Sequence, residues 1–421
     1  MERLLLTLEE ELDSILKKDF YPRNITIPDV PSKINVLTGM RRTGKTTILF
    51  KHISNLLKNG IDRSRVLFIN FEDDRLNTGT PSGNIISDIV EFWYSADPAR
   101  HNELCHLFFD EIQNVRGWEK TVRRLHDTKK VRLYLTGSSA KLLSKEIATE
   151  LRGRSISTEV WPFDFEEYPG FEKFPVKMGK VTKDKYLHSF YNYMKTGGFP
   201  ETIAVDNTVA VQILQEYVET VLFRDVMERW ELANLPLLKV LVKRLLSMPG
   251  RLLSVNKLFN ELKGLGYNLG KNTLYEYISH IEDAYLIFTV PLYSKSVKKS
   301  TVNPKKVYAI DTGLLNSVNL FTNEDKGYLF ENIVFLALRR RGYRVFYYLT
   351  EERYEVDFLA ENVQGRKLLI QACLDTNNSE TLKRETRSLE LAKKTLKISG
   401  NLVTPENYLE FIRTLNQTEN F

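Results

Sequence analysis

The run Gly39-Met40-Arg41-Arg42-Thr43-Gly44-Lys45-Thr46 sets two glycines, a lysine and a threonine at the spacing G-x-x-x-x-G-K-[ST]. Glycines at its first and sixth positions let the backbone turn N–H groups inward, where they can surround phosphate oxygens. A helix starting at that point would add the partial positive charge of its N-terminus. Lys45 is then placed to bridge β- and γ-phosphates, and the Thr46 hydroxyl to ligate Mg²⁺. The expected ligands are ATP and Mg²⁺, held over Gly39, Met40, Arg41, Arg42, Thr43, Gly44, Lys45, Thr46 and Thr47.

A second set of polar residues follows an apolar run, Leu107-Phe108-Phe109-Asp110-Glu111. A strand that ends in two carboxylates suits a metal-linked phosphate site, with Asp110 near Mg²⁺ and Glu111 orienting or deprotonating water. The run 131–135 ends in Thr136-Gly137-Ser138-Ser139, so Thr136 and Ser138 are candidates to touch the γ-phosphate or the water. They serve equally well as a cap for a helix starting near Ala140. Arg152 and Arg154 flank Gly153, where an arginine can stabilise phosphoryl charge on its own chain or on a neighbour's nucleotide. On residue type alone, two solvated arginines in a turn is the simpler reading.

These groups need a scaffold that delivers loops to one edge. Strands are predicted at 34–37, 66–70, 104–109 and 131–135, with a helix over 46–57. That alternation predicts an α/β fold, a parallel sheet covered by helices, with its site at the carboxyl ends of the strands. Before it, Leu4, Leu5, Leu8, Leu12, Ile15 and Leu16 mark an amphipathic helix. Beyond Trp161-Pro162-Phe163 the pattern turns helical over 186–195 and 209–230, punctuated by Gly197-Gly198-Phe199-Pro200. Three shorter helices at 235–247, 254–263 and 272–284 precede a strand pair at 286–293 and 306–310, the outline of a winged helix. The expected division is 1–32 for the first helix and connector, 33–165 for the phosphate-binding domain and 166–234 for a helical linker. A winged-helix domain over 235–315 and a last α/β domain over 316–421 follow.

The chain has 421 residues, 42% hydrophobic and 27% charged, which fits folded globular domains and excludes a disordered chain. A net charge of +6 permits a nucleic-acid partner without requiring one. Two cysteines, Cys105 and Cys373, exclude a disulfide framework. With no leader pattern and no long apolar window, a cytoplasmic protein without membrane contact is expected.

Taken in order, these motifs resemble bacterial and archaeal AAA-type ATPases of the STAND-related lineage, in which a winged helix and a restriction-endonuclease-like domain follow the ATPase domain. The resemblance rests on the phosphate loop at 39–46, Phe68-Ile69-Asn70-Phe71-Glu72-Asp73, Asp110-Glu111-Ile112-Gln113 and Thr136-Gly137-Ser138-Ser139. It continues through Leu151-Arg152-Gly153-Arg154, Pro162-Phe163, Gly197-Gly198-Phe199-Pro200, Arg224-Asp225 and Tyr354-Glu355-Val356-Asp357-Phe358. It implies ATP binding, Thr136 or Ser138 as the sensing residue, and Arg152 or Arg154 as the arginine near phosphate.

The middle module offers Lys295, Lys298, Lys299, Lys305 and Lys306 to phosphates, so DNA is a partner to test; Glu276, Glu282 and Asp283 oppose it. Another protein is the other partner class. In the last module the resemblance implies a metal held by Glu331, Asp357 and a further acid, with a lysine beside them. Gln371 and Cys373 stand at the last two places, so DNA cleavage is not expected. The resulting reading is a Mg²⁺-dependent ATPase acting as a nucleotide-driven conformational switch. The alternatives are a nucleotide-binding scaffold or protein-interaction module with negligible turnover, and, less favoured, an ATP-gated nuclease.

Overall fold

Four of the five strands in the first part of the chain are short, apolar and largely buried on both faces, the pattern of a sheet covered on both sides, while the fifth, at the edge, is polar and only partly buried. In the computed structural model, residues 2–76, 83–138, 151, 153–294, 296, 303–319, 321–322, 325–376 and 379–417 are described. Two units form, Met1–Val160 and Trp161–Phe421.

In the first unit β1 (Ile34–Thr38), β2 (Val66–Asn70), β3 (Cys105–Asp110), β4 (Val131–Gly137) and β5 (Ser155–Glu159) run parallel in the order β2-β3-β4-β1-β5. Helices α1 (Glu2–Leu16), α2 (Lys45–Lys58), α3 (Gly83–Ala96) and α4 (Trp118–Thr128) accompany them. Alternate strand residues separate into two layers. Val36, Ile69, Leu107 and Leu133 pack with Ile89 and Val90 of α3 and Val122 of α4. Leu37, Phe108 and Tyr134 pack with Ile48, Leu49 and Ile53 of α2. Each fully buried side chain of this kind contributes about 1.5–3 kcal/mol by leaving water. The layers thus fix the carboxyl edge, where the loops after β1, β3 and β4 meet.

One polar ring sits inside the second layer. His106 of β3 is 5% exposed, and neither ring nitrogen has a hydrogen-bond partner among the described residues. Burial, aided by the neighbouring His52, pushes its pKa down to about 4. The unfolded chain therefore takes up this proton first, near the ordinary 6.5, and stability falls as pH drops from there toward 4. His106→Phe is expected to lose less melting temperature than the parent between pH 7 and about 4.5. Equal losses in a thermal melt at both pH values would show that His106 does not drive the acid response.

The second unit begins with α5 (Lys180–Thr196) and α6 (Asn207–Thr220). The expected single helix over 209–230 is regular only to Thr220; Val221–Glu228 winds as a π-helix. Then come α7 (Leu235–Leu246), α8 (Val255–Gly264) and α9 (Lys271–Asp283), with a small antiparallel sheet of β6 (Leu252–Leu253), β7 (Ile287–Val290) and β8 (Lys305–Ala309) in the order β6-β8-β7. After α10 (Thr312–Val318) and α11 (Lys326–Arg340), β9 (Arg344–Leu349), β10 (Glu355–Glu361), β11 (Lys367–Ala372) and β12 (Gly400–Val403) make a second sheet in the order β12-β11-β10-β9. Helices α12 (Ser379–Leu396) and α13 (Tyr408–Gln417) complete the unit.

The Gly197-Gly198 pair is a close crossing. The buried Asp311 carboxylate accepts the Gly198 N–H at 2.7 Å and the Leu314 N–H at 2.9 Å. A Cβ on Gly198 would stand 2.1 Å from the Phe163 carbonyl oxygen, so a side chain has no room there. Among the described residues no helix is long and apolar enough to cross a membrane.

Candidate functional site

The loop between β1 and α2 turns through left-handed backbone at Arg42 (φ 67°) and Gly44 (φ 92°), with Gly39 at φ 150°. A Cβ on Gly39 would lie 2.0 Å from the Val160 carbonyl oxygen, which explains a glycine there. Gly44 caps α2 without a side-chain bond, so no side chain competes for the amides of the first turn. Thr43 is buried and donates to the Met40 carbonyl at 2.9 Å, while Arg23 holds the Thr43 carbonyl at 2.9 Å. Met40 is buried beneath the loop, Arg42 is exposed, and Thr47 is half-buried in the first turn of α2. Arg41 pairs with Glu72 at 2.5 Å.

Lys45 is 4% exposed, and its ammonium donates to the Gly39 and Met40 carbonyls at 3.1 Å each. Thr46 Oγ1 donates to Asp110 Oδ2 at 2.8 Å, joining the loop to the end of β3. Hydroxyl and carboxylate oxygens side by side are the hard donors Mg²⁺ takes. The residues present therefore fit both a nucleotide phosphate chain and its metal.

Glu111 follows in a left-handed conformation (φ 50°), so its carboxylate lies beside Lys45, 3.6 Å from the ammonium. Its other oxygen accepts from Gln113 Nε2 at 2.5 Å, and that amide is 3.4 Å from Ser138 Oγ. Burial and the charge of Glu111 push the Asp110 carboxyl above its ordinary value. Burial also acts upward on Glu111, but Lys45 and Gln113 outweigh it and hold that carboxyl low. An ionised Glu111 next to a buried Asp110 is the assignment expected of a water-facing base and a metal-facing acid.

The structure separates the two candidates on β4. Thr136 donates to Asp110 Oδ1 at 2.5 Å and accepts the Glu111 N–H at 2.8 Å. Its hydroxyl thus spends its proton on Asp110 and helps aim the two acids. Ser138 is buried at the strand end, within reach of Gln113. Arg154 precedes β5, at the amino edge of the sheet, and pairs with Asp127 at 2.9 Å. The strand rises about 3.3 Å per residue, so roughly 15 Å separates Arg154 from its own phosphate loop. That corrects its expected role on its own chain; a neighbouring copy's nucleotide is what remains of the idea. Arg152 and the helix expected from Ala140 lie outside the described residues.

Gln113 and Arg23 were not assigned roles from sequence. Gln113 stands two residues after Glu111, close enough for a helical turn to bring it back. Nothing local marks Arg23.

The second unit holds another polar centre. Lys306 of β8 is 2% exposed, and its ammonium lies 2.8 Å from Glu331, 2.7 Å from Glu355 and 3.2 Å from Asp357. This corrects its expected role as a phosphate-facing lysine: the side chain points into the fold. Lys305, its neighbour, is exposed. Lys295, Lys298 and Lys299 lie outside the described residues. Burial alone would lower the Lys306 pKa, but Glu331, Asp357 and Glu355 outweigh it and raise it. An ammonium from β8 therefore stands among Glu331, Glu355 and Asp357, while Cys373 is a small buried residue. Glu331 lies in the second turn of α11, and Asp357 inside β10. A cavity of about 1000 Å³ opens over this centre, with Arg251, Arg353 and Arg384 among its lining residues.

Residues 31–169 match the model of an AAA domain, and residues 187–325 that of a domain of unknown function, DUF8612. Uncharacterized protein MJ1544 of Methanocaldococcus jannaschii is 38% identical over 400 residues, covering 93% of this chain and 86% of that one. An uncharacterized protein of Haemophilus influenzae is 29% identical over 78% of this chain and 79% of its own. Among solved structures, the Walker-type ATPase PABY2304 of Pyrococcus abyssi aligns at 15% identity over 74% of this chain and 94% of that one, with a TM-score of 0.44. The Orc1 protein of Aeropyrum pernix in complex with DNA aligns at 13% identity over 75% and 91%, with a TM-score of 0.29. The chain carries an AAA domain with a P-loop, and by its identity to MJ1544 across nearly the whole length it belongs to the same family as that protein.

Proposed function

We propose that the chain binds ATP at the loop 39–46 and hydrolyses it with Mg²⁺. The observation that carries this reading is the convergence of Lys45, Thr46, Asp110 and Glu111 on one edge of the sheet, with Lys45 3.6 Å from Glu111 and Thr46 2.8 Å from Asp110. Backbone amides of the loop and the start of α2 bind the phosphates, and Lys45 neutralises their charge. Thr46 and Asp110 would hold Mg²⁺, which supplies further neutralisation of the phosphate oxygens when bound. Glu111 orients water and accepts its proton, with Gln113 fixing the carboxylate and Thr136 fixing the main chain beneath it.

The output we propose is a conformational switch acting on DNA or another macromolecule. Phosphate release from purified protein, measured with ATP and Mg²⁺ and repeated with EDTA, tests the chemistry. Adding DNA, RNA or neither tests the partner. Phosphate release that EDTA removes is the expected result. ATP binding with no phosphate release in any condition would leave a nucleotide-binding scaffold instead.

A further inference from the structure

We propose that Lys306 is the resident cation of the carboxylate centre in the second unit: its ammonium takes the position a divalent metal would need between Glu331 and Asp357, so this centre is complete without a metal ion.

A metal centre needs lone pairs from several oxygens facing one common point. Here that point is filled. The ammonium donates to Glu331 at 2.8 Å and to Asp357 at 3.2 Å, and the Glu355 carboxylate lies 2.7 Å from it as a third negative charge. Glu331 Oε1 also accepts the Tyr308 hydroxyl at 2.6 Å. The far oxygen of Asp357 accepts from Gln371 Nε2 at 2.9 Å and from the Ala372 N–H at 3.0 Å.

Gln371 argues the same way. Its amide nitrogen points at the acids, donating to Asp357 and, at 2.5 Å, to Glu385. Its oxygen faces away and accepts the Asp357 N–H at 3.2 Å. The reverse orientation would put the oxygen against two carboxylates and the NH₂ against an N–H, so the network fixes the amide. A residue at the third ligand position thus presents protons where a metal requires an oxygen.

The ammonium is also anchored. Lys306 pairs with Leu252 and Val290 across the small sheet, and Tyr308, two residues on, stacks on Phe335 of α11 at 4.4 Å. A flexible surface lysine could leave to admit a metal. This one is held at both backbone and neighbour.

The test is a titration of nucleotide-free, full-length protein with Mn²⁺, read by the free Mn²⁺ signal in electron paramagnetic resonance. The parent is expected to show no binding that Asp357→Asn removes. Lys306→Met empties the position and exposes the three carboxylates to one another. It is expected to gain a Mn²⁺ site, about tenfold or more tighter than any residual parent binding, which Lys306→Met with Asp357→Asn loses again. Two results would overturn the proposal: Asp357-dependent Mn²⁺ binding in the parent, or a folded Lys306→Met protein that gains none. Circular dichroism reports whether the variant folds. Should it not, the parent and Asp357→Asn titrations decide: binding that differs between them overturns the proposal, and binding that does not supports it.

Discussion

Lys45→Ala is expected to abolish tight ATP binding and with it turnover. The lysine ammonium is buried and held by the Gly39 and Met40 carbonyls at 3.1 Å, inside the loop proposed to bind the phosphates. Each charge-assisted hydrogen bond it makes to phosphate is worth about 1.5–3 kcal/mol. Losing one weakens affinity by roughly 10- to 150-fold. The same group carries charge neutralisation during transfer, so turnover falls further than affinity. Titration with a fluorescent ATP analogue, beside a phosphate-release assay, measures both. A variant that binds and turns over like the parent would remove the loop from the site.

Glu111→Gln is expected to separate binding from chemistry. The carboxylate lies between Lys45 and Gln113 and makes no bond to the phosphate loop backbone in the structure. Its loss leaves the amide cradle intact. Affinity is expected to stay near the parent value, because the negative charge removed would have opposed the γ-phosphate. Hydrolysis is another matter: a positioned general base contributes about 10²- to 10⁴-fold, and the amide cannot accept a proton. Single-turnover hydrolysis with enzyme in excess isolates the chemical step from product release. A parent-like rate there would assign Glu111 to structure alone. Affinity and rate falling together would make it a ground-state contact.

What could be read in the sequence follows how local the physical cause is. The loop 39–46 and the pair Asp110-Glu111 were legible because each is set within one strand-to-loop transition. Their residue types are dictated by close backbone approach and by charge. Thr136 and Ser138 were legible as candidates but not separable. One strand residue decides which hydroxyl lies beside Asp110, and that choice depends on the register of β4 against β3 and β1. Arg154 owed its phosphate role to the resemblance, because two arginines in a turn look alike at either edge of a sheet; strand direction sets it at the amino edge, beside Asp127. Lys306 was beyond reach. Its partners stand 25, 49 and 51 positions away in sequence, and two adjacent lysines read as a solvated surface until the pleat turns one of them inward. Nothing in a run of lysines tells which one that is.

The placement of Lys306 also bears on how the second unit selects its own topology. Side chains alternate along β8, so a slip of one residue against β7 would exchange the inward face for the outward one. A slip that brought Val307 to this place would leave the buried Glu331 and Asp357 without their cation, whereas the opposite slip would set Lys305 there. Leaving a buried charge without its partner costs about 3–5 kcal/mol, a large share of the ~5–15 kcal/mol by which a folded domain outlasts its alternatives. The ammonium therefore penalises the misaligned hairpin that would replace it by Val307.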